Sequence, residues 1–206
     1  MNRGQLRSAL TSRLGIPSAG DSLLDSTTLN DIIGFALRDL SSEADWPWLL
    51  TTASLSFTGA DATAPTTLVK ARELAIGTQP QRARFVPLGE FMDAQASRVE
   101  CVWTIIGTTV RLTPTPSTAP TATLYFVRGE PTLANDSAEP LCPDAHHQIV
   151  LARASYHANT RRNRFEDAAR DDNEYQLGVR KMKDAQWVKS GPRRVKAAGS
   201  SNWATW

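Results

Sequence analysis

Cysteine is scarce: only Cys101 and Cys142 occur in a chain of 206 residues. That excludes the disulfide framework that staples small secreted domains, and both thiols read as reduced and structural. Long apolar runs are also missing. No stretch approaches the ~20 consecutive apolar residues of a membrane span, and the N-terminus lacks the basic, apolar and small-residue succession of a secretory signal. The expectation is a soluble intracellular product with no membrane partner. Charge of one sign is not in excess, since the net charge is only +2, so the chain as a whole is no polycation. Motifs with built-in chemistry are absent too: no phosphate-binding loop, dinucleotide glycine pattern, nucleophile elbow or metalloprotease helix occurs. These absences point to a protein without enzyme activity, catalytic residues or cofactor.

What is present is ordinary globular material, 41% hydrophobic and 21% charged, enough for a real core. Leu6, Leu10 and Leu14 recur at helical spacing until Gly15-Ile16-Pro17 ends the pattern, which predicts a helix over 3–14. Ser26 or Thr27 is placed to cap a second helix, whose stripe is Leu29, Ile32, Ile33, Ala36, Leu37 and Leu40. It ends before Trp46-Pro47-Trp48, because the residue before a proline resists the helical region.

From there to about Pro131 the hydrophobic period falls from near 3.6 to 2, and Thr, Val, Pro and Gly become common. Leu55 and Phe57 alternate in one strand, Leu68 opens another, and Trp103, Ile105, Val110 and Leu112 flank a hairpin turn at Gly107-Thr108. Tyr125 and Val127 close the set. Residues 89–96 hold a short helix, and the proline-rich segment 113–120 reads as a stiff exposed loop. Pro143 then starts one long helix to about Lys189, with Gly178 as a weak point costing about 1 kcal/mol relative to alanine. The expected class is therefore α+β: a helical bundle of two N-terminal helices plus one long C-terminal helix, with an inserted antiparallel β module and an extended C-terminal arm. The corresponding units are 1–48, 49–131, 132–189 and 190–206.

The arm carries the clearest functional signal. Gly191, Pro192 and Gly199 deny it a helix and Ser200 to Asn202 deny it apolar burial, yet Trp203 and Trp206 sit at its end. Indole is strongly enriched among interface anchors. From Lys181 onward six basic residues (Lys181, Lys183, Lys189, Arg193, Arg194 and Lys196) face one acid, Asp184, which suits phosphate or an acidic groove. The plainer alternatives are a solvated tail, or a frayed terminus whose tryptophans fold back on their own domain.

Other clusters are weaker. Cys142, Asp144, His146, His147 and His157 resemble zinc spacing only loosely, and side chains lining a helix interface explain them better, so no metal site is expected. Asp167, Asp171 and Asp172 lie beside Arg164 and Arg170 and read as a solvated charged face. Arg161, Arg162 and Arg164 form a basic band suited to DNA phosphates, to intersubunit salt bridges or simply to solvent.

The succession of residues resembles the adaptor, or head-completion, proteins of tailed bacteriophages. It is carried by the helix at 3–14, by Leu29-Asn-Asp-Ile-Ile-Gly-Phe-Ala-Leu37, and by Asp45-Trp-Pro-Trp48. Trp103-Thr-Ile-Ile-Gly107, Leu112-Thr-Pro-Thr-Pro116, Leu124-Tyr-Phe-Val-Arg128 and Leu141-Cys-Pro-Asp-Ala-His146 continue it. The resemblance implies a structural protein in the virion neck between capsid and tail, made in the host cytoplasm. Its partners would be the portal protein, a tail or stopper protein, further copies of itself in a twelvefold ring, and DNA crossing the lumen without sequence-specific contacts. Arg193, Arg194, Lys196, Trp203 and Trp206 would dock the arm on the portal, and Arg161, Arg162 and Arg164 would face the DNA lumen or a neighbouring subunit. The competing reading is a nucleic-acid-binding protein that uses the basic C-terminal end.

Overall fold

Asn2 opens the first helix, α1 (Arg3–Arg13): its side chain accepts from the Gln5 backbone while the Gln5 side chain accepts from the Asn2 backbone N–H. This reciprocal box satisfies two of the donors that a helix start leaves open. The computed structural model describes residues 1–16, 21–77, 81–97, 101–115 and 121–190. Helix α2 (Ser26–Ser42) is capped by Asp25, whose carboxylate accepts from Thr28 at 2.7 Å, one residue earlier than Ser26. A carboxylate serves better there because it also meets the positive end of the helix dipole. After α2, Trp46 buries completely, donates its indole N–H to the Leu40 carbonyl at 2.6 Å and stacks on Trp48. A single 3₁₀ turn, Pro47–Leu49, then delivers the chain to the first strand.

Seven strands follow: β1 (Leu50–Ser56), β2 (Asp61–Thr63), β3 (Leu68–Ile76), β4 (Gln81–Phe85), β5 (Val102–Ile106), β6 (Thr109–Thr113) and β7 (Thr121–Arg128), with α3 (Leu88–Ser97) between β4 and β5. They pair in the order β1-β7-β3-β4-β5-β6-β2. The two outer strands, β1 and β2, approach one another, so the sheet is nearly closed and barrel-like. The β5–β6 hairpin turns at Gly107, whose φ of 59° is costly for other residues. Residues 116–120 of the proline-rich segment lie outside the described residues.

The expected fold class is corrected in three respects. The strands do not form a small antiparallel module inserted in a three-helix bundle; they form a seven-stranded mixed sheet, and the five described helices are spread along the chain. One pair, β4 with β5, is parallel, and α3 supplies the crossover that a tight hairpin turn cannot. Finally, the long C-terminal helix is two helices, α4 (His147–Arg161) and α5 (Phe165–Ser190). Between them Asn163 takes a left-handed φ of 57°, and the Arg164 N–H reaches back to the Asn159 carbonyl at 2.9 Å. Asparagine is one of the few non-glycine residues that closes a helix this way.

Two main apolar cores result. Leu6 and Leu10 of α1, Ile33 and Leu37 of α2, Val150 and Ala154 of α4, and Tyr175 and Val179 of α5 share one. Phe57, Leu74, Trp103, Val110, Leu124 and Phe126 share the other inside the sheet. Strand β7 serves both, because its alternation breaks at Val127, which joins the helical core. Ionic contacts fasten the segment after β7 to α1, where Asp136 accepts from Arg3 at 2.8 Å and from Arg7 at 2.6 Å. Hydrogen bonds from Arg7 and then Arg3 hold the Asp136 carboxyl down at about 2. Ionised Asp136 is thus favoured by folding, and its contribution is present above the ordinary value of 3.8 and disappears as pH falls toward about 2. Asp136→Asn is expected to narrow its stability deficit across that window, with a constant deficit above it, read from denaturant midpoints at a series of pH values.

Gly178 carries a different meaning from a weak point in a helix. A Cβ there would sit 2.7 Å from Ile149 Cγ1 and 3.3 Å from Ile149 Cγ2, so the Ile149 side chain would have to shift to make room for it. Glycine is what lets α5 lie against α4. Gly178→Ala gains about 1 kcal/mol of helix propensity but overpacks the contact by roughly 1–3 kcal/mol. The variant is expected to be net destabilised in chemical denaturation, and to become neutral or stabilised when Ile149→Ala removes the obstacle.

Candidate docking surfaces

Sequence reasoning missed the polar hub of the helical layer. Arg153 projects from α4 with its Nε 2.6 Å from Asp39 of α2 and a terminal nitrogen 2.8 Å from Asp172 of α5. Its guanidinium also lies over the rings of Tyr156 and Tyr175, at 4.6 and 5.0 Å. Planar, delocalised and always charged, arginine suits this combination of paired carboxylates and stacked rings. His157 adds a 2.9 Å contact to the same Asp39. Burial pushes the Tyr175 hydroxyl above its usual range, and the hydroxyl donates to Glu43, which Lys183 meets at 2.8 Å. Nothing in the spacing of Arg153 marks it, because its carboxylate partners come from two other helices, 114 and 19 residues away.

The proposed arginine band divides. Arg162 is engaged within the chain: its side chain is 12% exposed, its Nε is 3.2 Å from Asp21 and it donates to the Leu14 carbonyl. Arg161 and Arg164 are exposed on either side of the α4–α5 break. The three acids read as one solvated face also separate. Asp171 is 2% exposed, held between Arg13 at 2.9 Å and Asn159 at 2.8 Å. Asp172 belongs to the Arg153 hub, and Asp167 pairs with Arg170 at 3.2 Å.

The three histidines do not converge. His147 is buried with its Nε2 2.9 Å from the Cys142 carbonyl, His146 faces the Trp48 ring and His157 contacts Asp39. Burial lowers the pKa of His147, and burial followed by the charges of Glu130 and Asp144 pushes the Cys142 thiol up to about 12. A thiol held protonated is a poor metal ligand and nucleophile. Among the described residues, no group of three or more His, Cys, Asp or Glu is placed to hold a metal ion, and no helix is long and apolar enough to cross a membrane.

The apolar surface is more telling. Trp46, Pro47, Trp48, Pro143, Met182 and Ala185 line a depression of about 530 Å³. A second of about 430 Å³ adjoins it between Ile149 and Leu177, sharing Met182 and Ala185. Together they make a groove along the C-terminal half of α5, and Leu177 on its rim is 57% exposed. Elsewhere Phe165 at the start of α5 is 65% exposed.

The sequence model of the SU10 adaptor protein family matches residues 1–197. This chain belongs to that family. The adaptor is thus a structural protein of the phage head-to-tail type, as the resemblance implied. The match extends into the arm as far as Arg193, Arg194 and Lys196 and stops before Trp203 and Trp206. All five of these residues lie outside the described residues. No curated protein matches the adaptor chain.

Proposed function

We propose that this adaptor is a non-enzymatic component of the virion neck, one of a ring of identical copies that joins portal to tail around the DNA channel. Family membership over residues 1–197 is the observation that carries the reading. Each copy docks on the portal through residues 190–206, with Arg193, Arg194 and Lys196 orienting the arm and Trp203 and Trp206 anchoring it. The helical segments, 1–48 and 132–189, form the body on the portal side, and residues 49–131 offer a surface to the tail or stopper protein. Ring closure requires a heterologous contact between two different patches of each subunit. Arg161 and Arg164, exposed and adjacent, are available to a neighbouring subunit or to DNA phosphates, whereas Arg162 is committed to Asp21.

Retention of the portal tests the arm. Full-length chain and a version ending at Lys189 are used as bait in infected-cell lysate treated with nuclease. The full-length chain is expected to retain the portal protein and the shortened one to lose it. Recovery of nucleic acid alone before nuclease, with nothing after it, would place the nucleic-acid-binding alternative first.

A further inference from the structure

The groove along α5 lies beside the point where the chain continues past Ser190. We propose that in the free chain the groove holds Trp203 and Trp206 of the same polypeptide, so that the docking arm is stored on its own subunit until a partner competes for it. The purpose given to this storage rests on the docking-arm reading above; the occupancy itself does not.

Position is the first argument. Met182 and Ala185 wall both depressions, and they lie within eight residues of Ser190, where α5 ends. The arm therefore begins at one end of the groove. Direction is the second, because Gly191-Pro192 follows immediately, a dipeptide that stops a helix and turns the chain. Reach is the third. Arg193 to Trp203 extends to about 36 Å, whereas the path back along α5 from Ser190 to Glu174, at the far end of the groove, is about 24 Å.

Spacing and chemistry complete the fit. Trp203 and Trp206 stand up to about 10 Å apart in an extended chain, and the two depressions share a wall. The flat face of Trp48, stacked on Trp46 at 5.0 Å, together with prolines and Met182, is the surface that an indole seeks. Two groups joined through one short stretch of chain meet at an effective concentration on the order of millimolar, so a weak pocket fills from its own chain before it meets the arm of another copy at micromolar concentration.

Hydroxyl-radical footprinting of the full chain tests the storage. The Trp203→Ala/Trp206→Ala variant, altered outside both apolar cores, is expected to show several-fold more labelling of Trp48 and Leu177 than the natural chain, independent of protein concentration. Reciprocally, Leu177→Glu, at an exposed position, should raise labelling of the peptide that carries Trp203 and Trp206. Equal labelling of Trp48 and Leu177 in the natural and tryptophan-free-arm chains overturns the inference. Protection that grows with concentration also overturns it, by assigning the groove to a second copy. Either result leaves portal retention to be judged by the bait experiment, and a chain that shows protection without portal retention would contradict the docking reading alone.

Discussion

Trp46→Ala is expected to cost about 3–5 kcal/mol of folding stability, the range for removing a fully buried tryptophan. Trp46 closes the helical core at the exit of α2, and its ring lies 5.0 Å from Trp48 with the planes only 6° apart. Its indole N–H also donates to the Leu40 carbonyl in the last turn of α2, which the Glu43 backbone N–H meets only at 3.3 Å. Alanine therefore opens a cavity and loosens the stacked partner. Trp46→Phe separates the two losses. It keeps most of the ring and forfeits the hydrogen bond, about 1 kcal/mol, and the Glu43 N–H remains on the same carbonyl. Urea midpoints at constant slope are the measurement. Equal losses for the two variants would show that packing at this corner is unimportant.

Trp103→Ala is expected to do comparable damage in the other core, again about 3–5 kcal/mol. Val102, Trp103 and Thr104 of β5 are all buried, and consecutive buried residues in a strand mean that both of its faces are covered. Val102 packs under α3 with Val86 and Phe91, while Trp103 fills the interior of the sheet. The Trp103 indole donates to the Ala83 carbonyl at 3.0 Å and its ring meets Phe85 edge-on at 5.0 Å. Both contacts tie β5 to β4, the parallel pair that no short hairpin enforces. Loss of protection in amide hydrogen exchange should accordingly concentrate in β4 and β5 for Trp103→Ala, and in α2 and α4 for Trp46→Ala. Because the two tryptophans belong to separate cores, their effects should add to within about 0.5 kcal/mol. A strongly non-additive pair would contradict the division into two cores.

The sequence made the local elements readable where one physical signal dominated. The Leu6–Leu10 spacing with the stop at Gly15, the apolar stripe of α2, the short helix after Leu88 and the Gly107 hairpin needed nothing from afar. Strand β4 was hidden, because Gln81-Arg-Ala-Arg-Phe85 is mostly polar and its partner β5 is reached only through α3. The same long-range pairing turned an expected antiparallel module into a mixed sheet. At Asn163 the hydrophobic spacing runs on while one backbone angle breaks the helix, so periodicity alone overlooks the boundary. Gly178 looked like a defect until Ile149 of the neighbouring helix was in place. Of the candidate sites, the arm was legible as composition, with its tryptophans and basic residues. The groove was not, since Trp48, Pro143, Ile149 and Met182 come from separate segments and meet only after α4 and α5 pack.

The proposed position, in several copies in the neck between portal and tail, is open to direct test. Cryo-electron microscopy of virions assembled with this chain carrying a compact fusion domain at its N-terminus tests it most directly. The expected result is a ring of added density around the channel immediately below the portal, with the same symmetry as the chain's own ring. Fusion density on the capsid shell or along the tail tube, or its absence from particles that otherwise incorporate every neck protein, would contradict the account.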